Sequence, residues 1–112
     1  MSEPVLDGPV FNEIAELMGD ALGSFIETYL DNSPKLLARM REAIPSGNMD
    51  EVVHNAHQLK GGSGSLGAMQ IFRLAKQLEE EAREGLEDNL VSVFAELEVA
   101  YEALEKELKT HL

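Results

Sequence analysis

Apolar residues recur along the chain at steps of three and four, with no stretch of strict alternation, which is the spacing of helices that bury one face. Residues 1–10, with Pro4, Gly8 and Pro9, show little periodicity and read as a flexible N-terminal tail laid across the domain that follows. Phe11, Ile14, Leu17 and Met18 mark a short helix, loosened at Gly19 and Gly23, and Asp20 is a candidate N-cap for the next. One face then continues through Leu22, Ile26, Tyr29, Ser33, Leu37, Met40 and Ile44. Pro34 inside it predicts a kink or break, because proline removes a backbone donor and crowds the preceding turn. Pro45-Ser46-Gly47-Asn48 ends this segment.

A third helix is expected from about Asp50 to Leu66, with Gly67 as a left-handed terminator and Ala68 opening the next element. Ile71, Leu74, Ala75, Leu78 and Ala82 form the stripe of a fourth, which stops at Gly85. Leu90, Phe94, Leu97, Tyr101, Leu104 and Leu108 make a fifth. Long amphipathic helices joined by short turns favour antiparallel neighbours. The expected fold is all-α: an antiparallel up-down four-helix bundle over residues 11–112 with a short extra N-terminal helix. The heptad-like last stripe would also suit pairing between two chains, but one chain carries enough amphipathic faces to cover each other, so a monomer is expected.

Composition narrows the function. A chain of 112 residues is one domain. A formal charge of −12 repels phosphate backbones and anionic headgroups, which leaves nucleic acid and membranes as poor partners and another protein as the expected one. The absence of cysteine excludes disulfides, thiolate metal sites and cysteine nucleophiles, and fits a reducing cytoplasm. No run approaches the ~20 apolar residues of a membrane span, and the N-terminus has no basic leader or apolar signal core. A cytoplasmic protein is therefore expected.

One stretch departs from good helix chemistry. In Asn55-Ala56-His57-Gln58-Leu59-Lys60-Gly61-Gly62-Ser63-Gly64-Ser65-Leu66, glycines follow the histidine at one and two turns. Gly61, Gly62 and Gly64 together give up on the order of 3 kcal/mol of helix preference relative to alanine. At 100° per residue, Val52, Ala56, Leu59, Ser63 and Leu66 share one stripe, while His57, Gly61 and Gly64 cluster opposite, in water. Lys60, three residues after His57, can bring an ammonium to an anion on the ring. Neutral imidazole is a competent nucleophile near pH 7. A nucleophile, a cation and a floor cleared of side chains thus converge.

Ala56-His57-Gln58-Leu59-Lys60-Gly61, with Ser63 and Gly67-Ala68 behind it, resembles the signature of the histidine-containing phosphotransfer (HPt) domain in its stand-alone form. The resemblance extends over about residues 11–112, since that family is also a four-helix bundle with an added N-terminal helix. It implies a phosphorelay intermediate rather than an enzyme with its own turnover. His57 would accept a phosphoryl group from a receiver-domain aspartate and pass it to another, the receivers belonging to hybrid histidine kinases and response regulators. The receiver would supply aspartate and Mg²⁺, so this chain needs no cofactor and no metal. Lys60 would stabilise the phosphate, and Gly61 would let the partner approach, with Gly64, Gln58 and His54 contributing to docking. The family places Gln or Glu on the following helix near the ring; Glu79 falls there and would hold the Nδ1 proton, leaving Nε2 free to attack.

Other readings of the same residues remain. Gly61 and Gly64 would also suit close packing of two helices, although their outward direction speaks against it. Ser63 points inward as a small packing residue bonded to its preceding turn. Glu51-Val52-Val53-His54 matches the Glu-x-x-His of di-iron bundles, but it occurs once and off the apolar stripe. A bundle adaptor without covalent chemistry would explain core and acidity but not the glycines.

Overall fold

The computed structural model describes residues 4–112, and among them every regular element is helical. Helix α1 spans Gly8–Met18, α2 Leu22–Ser46, α3 Met49–Leu66, α4 Met69–Arg83 and α5 Leu90–Lys109. Single 3₁₀ turns at Gly19–Ala21 and Glu87–Asn89 lead into α2 and α5. Helix α2 packs on α3, α3 on α4, α4 on α5 and α5 back on α2, which closes the bundle; α1 lies against α3.

The first helix starts at Gly8, inside the stretch expected to be tail. Asp7 accepts a hydrogen bond from Val10 N at 3.0 Å, and Pro9 in the first turn has a fixed φ suited to a helix start. The segment before it is tied down, with Asp7 N donating to Gly67 O at 2.8 Å. The expectation for residues 1–3 lies outside the described residues. Leu17 is not part of the buried face of α1; it is 81% exposed.

Helix α2 runs unbroken through Pro34. Proline inside a helix costs about 3 kcal/mol, yet Tyr29, Ser33, Leu36, Leu37 and Met40 are buried on both sides of it, so packing holds the two halves in line. Nor does Asp20 cap α2. It sits within the 3₁₀ turn, and the N-terminus of that helix has no side-chain cap among the described residues. The other stops agree with the sequence pattern. Gly47 and Gly67 hold left-handed φ values of 75° and 80° after α2 and α3, conformations that glycine adopts without steric cost. At the second corner Gly67 N donates to Gly64 O and Ala68 N to Ser63 O, so α4 turns back directly along α3.

The core takes the expected stripes. Val52, Ala56, Leu59 and Leu66 of α3 meet Ile71, Leu74, Ala75 and Leu78 of α4 and the apolar face of α5 from Leu90 to Leu108. Burying one such large apolar side chain contributes about 1.5–3 kcal/mol. The α3–α4 seam therefore holds the face carrying His57 in a fixed position.

Candidate functional site

Asn48 opens α3 by accepting from Glu51 N at 3.3 Å, with Asp50 and Glu51 in the first, electropositive turn. Two turns on, Val52, Ala56 and Leu59 are fully buried, which turns His57 outward; its side chain is 65% exposed. Nδ1 lies 3.0 Å from Glu79 Oε2 on α4. Among the described residues none bonds to Nε2, and the ring borders a shallow depression lined by Asp50, Val53, His54 and Arg83.

Glu79 is the hub of the site. It is only 3% exposed, enclosed by the α3–α4 seam. Lys60 Nζ approaches Oε1 at 2.8 Å, and Arg83 Nη2 donates to Oε2 at 2.9 Å, the oxygen that also faces His57. Burial pushes the Glu79 carboxyl up, but hydrogen bonds from Lys60 and His57, the Lys60 charge and the Arg83 bond together hold it below the usual value. It is thus a carboxylate at neutral pH. A carboxylate only accepts, so His57 Nδ1 must be the donor, and the lone pair of the neutral ring is on Nε2.

The remaining expected residues divide. Gly61 is exposed, and a Cβ built there would meet nothing within 4 Å, so it is an open floor one turn beyond the imidazole. Gln58 is exposed beside it and donates from Nε2 to His54 Nε2 at 3.1 Å, so those two polar groups share the rim next to the ring. Gly64 departs from expectation. It is half-buried, and an added Cβ would come 3.1 Å from Phe72 Cδ2; it lets α4 pack closely instead of clearing surface for a visitor. The wheel misplaced it because Phe72 reaches around from α4, which no single-helix projection can show.

Ser63 is buried as expected, but its hydroxyl bonds to Tyr29 OH of α2 at 2.8 Å and not to its own helix. Lys60 is only 23% exposed at its side chain and spends its charge on Glu79. Arg83 was missed by sequence reasoning, although its spacing of four from Glu79 on a helix was a readable signal. Glu51 and His54 do not converge on a site: Glu51 accepts from Asn55 Nδ2 at 2.9 Å while His54 turns to Gln58.

Between α2 and α3, on the Gln58 and Gly62 flank of α3, runs a groove of about 500 Å³ lined in part by Phe25, Tyr29, Leu36 and Gln58, and also by Lys35 and Arg39. It brings apolar surface and two cations to the flank of α3 that carries Gln58 and Gly62, in an otherwise acidic chain.

Comparison with known proteins agrees with the fold and the family resemblance. The Hpt domain family model matches residues 24–107. The chain is 29% identical over 105 residues to histidine-containing phosphotransfer protein 4 of Arabidopsis thaliana, covering 88% of this chain and 83% of that protein. It is 27% identical over 106 residues to histidine-containing phosphotransfer protein 2 of the same plant, covering 88% and 68%. The crystal structure of histidine-containing phosphotransfer protein B (HptB) from Pseudomonas aeruginosa PAO1 superposes with a TM-score of 0.92 at 28% identity, over 98% of this chain and 96% of that one.

Proposed function

The chain belongs to the Hpt domain family, and from that premise we propose that His57 is the residue through which it carries a phosphoryl group. The protein is a histidine phosphotransfer intermediate of phosphorelay signalling, a phosphocarrier. The observation that carries the assignment is the contact of His57 Nδ1 with the buried Glu79 carboxylate on a ring that otherwise stands in solvent.

The chemistry follows from that contact. The Nε2 lone pair attacks the phosphorus of a receiver aspartyl phosphate. The P–O bond to the aspartate breaks with its electron pair returning to the carboxylate, and an Nε2–P bond forms. The ring keeps its Nδ1 proton and becomes cationic against Glu79, a positioning residue that fixes both tautomer and ring plane. Lys60, held against Glu79 one turn along α3 from the ring, places positive charge beside the arriving group. The receiver contributes its aspartate and Mg²⁺, and this chain catalyses no turnover of its own.

Receiver domains of hybrid histidine kinases and response regulators dock, in this reading, over the Gly61 floor, with Gln58 and His54 on its rim and the α2–α3 groove alongside. Lys35 and Arg39 supply the local positive charge that an acidic receiver site would meet. The module acts as a monomer in the cytoplasm. Among the described residues no helix is long and apolar enough to cross a membrane.

The test is transfer of label from a response-regulator receiver charged with labelled acetyl phosphate. His57→Gln should keep its helical spectrum and take up no label. Labelling at the wild-type yield would overturn the assignment and move the acceptor elsewhere, with His54 the next residue to replace.

A further inference from the structure

We infer that Glu79, because it meets His57 Nδ1 as a carboxylate and not as an amide, keeps the phosphorylated ring protonated and its phosphoryl group ready to leave. The inference rests on His57 as acceptor and concerns what happens after the Nε2–P bond has formed. The ring then carries its proton on Nδ1, 3.0 Å from Glu79 Oε2, and a full positive charge. Losing that proton would leave a bare nitrogen lone pair facing a carboxylate oxygen. Both are acceptors, so the contact would turn from attractive to repulsive. An amide at this position could rotate its NH₂ toward the bare nitrogen and stabilise the deprotonated ring. Glu79 has no such option.

The charged neighbours act in the same sense on balance. From α3, Asp50, His54 and Lys60 lie around the ring; from α4, Glu79 and Arg83 do. Lys60 and Arg83 oppose a ring cation, but each is already paired with Glu79, and the phosphoryl group adds nearly two negative charges next to them. The two cations also keep Glu79 ionised, which preserves its capacity to accept.

The protonation state decides how easily the group moves on. When a receiver aspartate attacks the phosphorus, a new O–P bond forms and the Nε2–P bond breaks, its electron pair returning to Nε2. From the protonated ring the leaving group is neutral imidazole with Nδ1–H still in place, and no proton enters or departs. From the deprotonated ring the same step expels an imidazolide anion, a far poorer leaving group. The site thus favours onward transfer over storage.

Phosphorylating the protein with phosphoramidate, a small-molecule donor, tests this without any receiver. Phosphohistidine lifetime would be followed by phosphorus NMR across neutral and mildly alkaline pH in the wild type and in Glu79→Gln. The wild type should stay short-lived through neutral pH. In the variant the lengthening with pH should begin about one pH unit lower, making the phosphoprotein roughly tenfold longer-lived at mildly alkaline pH. Identical pH profiles with His57 labelled in both proteins would overturn the inference while leaving the acceptor intact. Absence of label on His57 in the wild type would instead overturn the acceptor assignment. If Glu79→Gln does not fold, nitrogen-15 spectra of the phosphorylated wild type decide: a proton-bearing Nδ1 at neutral pH supports the inference, and a bare one overturns it.

Discussion

Replacing Gly61 should separate what the glycine costs the fold from what it gives the interaction. The residue lies inside α3, exposed, and a methyl group added there would meet no neighbouring heavy atom within 4 Å, so alanine loses no contact and strains nothing. The full propensity difference between glycine and alanine in a helix interior is then available, about 0.8–1 kcal/mol in favour of the variant. For a chain of this size that raises Tm by about 4 °C. Glutamine is nearly as good a helix former, so Gly61→Gln should also be more stable than the wild type, but its side chain would lie across the floor beside the ring. Thermal unfolding by circular dichroism, paired with the rate of label transfer from a charged receiver, reads both effects. Stabilisation with transfer slowed in Gly61→Gln is expected. An unchanged or lowered Tm in Gly61→Ala would show that the position is not an open helical one, and a stabilised Gly61→Gln with wild-type transfer would refute docking over it. Gly64→Ala is the internal control: its Cβ would press on Phe72 at 3.1 Å, so the propensity gain should be largely cancelled.

Lys60→Ala should slow transfer and also destabilise the fold by about 1–3 kcal/mol, because Glu79 stays buried with one cation fewer; transfer kinetics equal to wild type would return Lys60 to a structural role. Tyr29→Phe strands the buried Ser63 hydroxyl and should cost about 1–3 kcal/mol in chemical denaturation, with Ser63→Ala added to it recovering part; simple additivity would show that the two hydroxyls do not act as a pair. Glu79 is held below its ordinary value of 4.5 in the folded protein, so the stability it confers is complete above that pH and lost as pH falls below it. The stability difference between wild type and Glu79→Gln should therefore shrink on acidification, and a difference constant from neutral pH to about pH 3 would refute that reading.

The helical pattern was largely readable because this bundle obeys single-helix rules: the stripes of α3, α4 and α5 are buried as their spacing predicts, and Gly47 and Gly67 end helices where left-handed residues are needed. Failures occur where a second element decides. The start of α1 at Gly8 depends on Asp7, whose own backbone is anchored to Gly67 at the far end of α3. Continuity through Pro34 depends on packing that a propensity scale does not contain. The site shows the same division. His57 and Gly61 could be placed outward from α3 alone. The burial of Glu79, the commitment of Lys60 to it and the occupation of the Gly64 side by Phe72 all arise from α4 lying along α3.

The hydroxyl pair between Tyr29 and Ser63 works as a key between two rods. Sliding α2 by one turn would pull Tyr29 away from the buried Ser63 hydroxyl, a cost that opposes slippage of the side chains flanking the imidazole. Surface positions such as Thr28, Asn32 and Lys35 are then free to vary, altering which visitor is welcomed while the reactive nitrogen keeps its address.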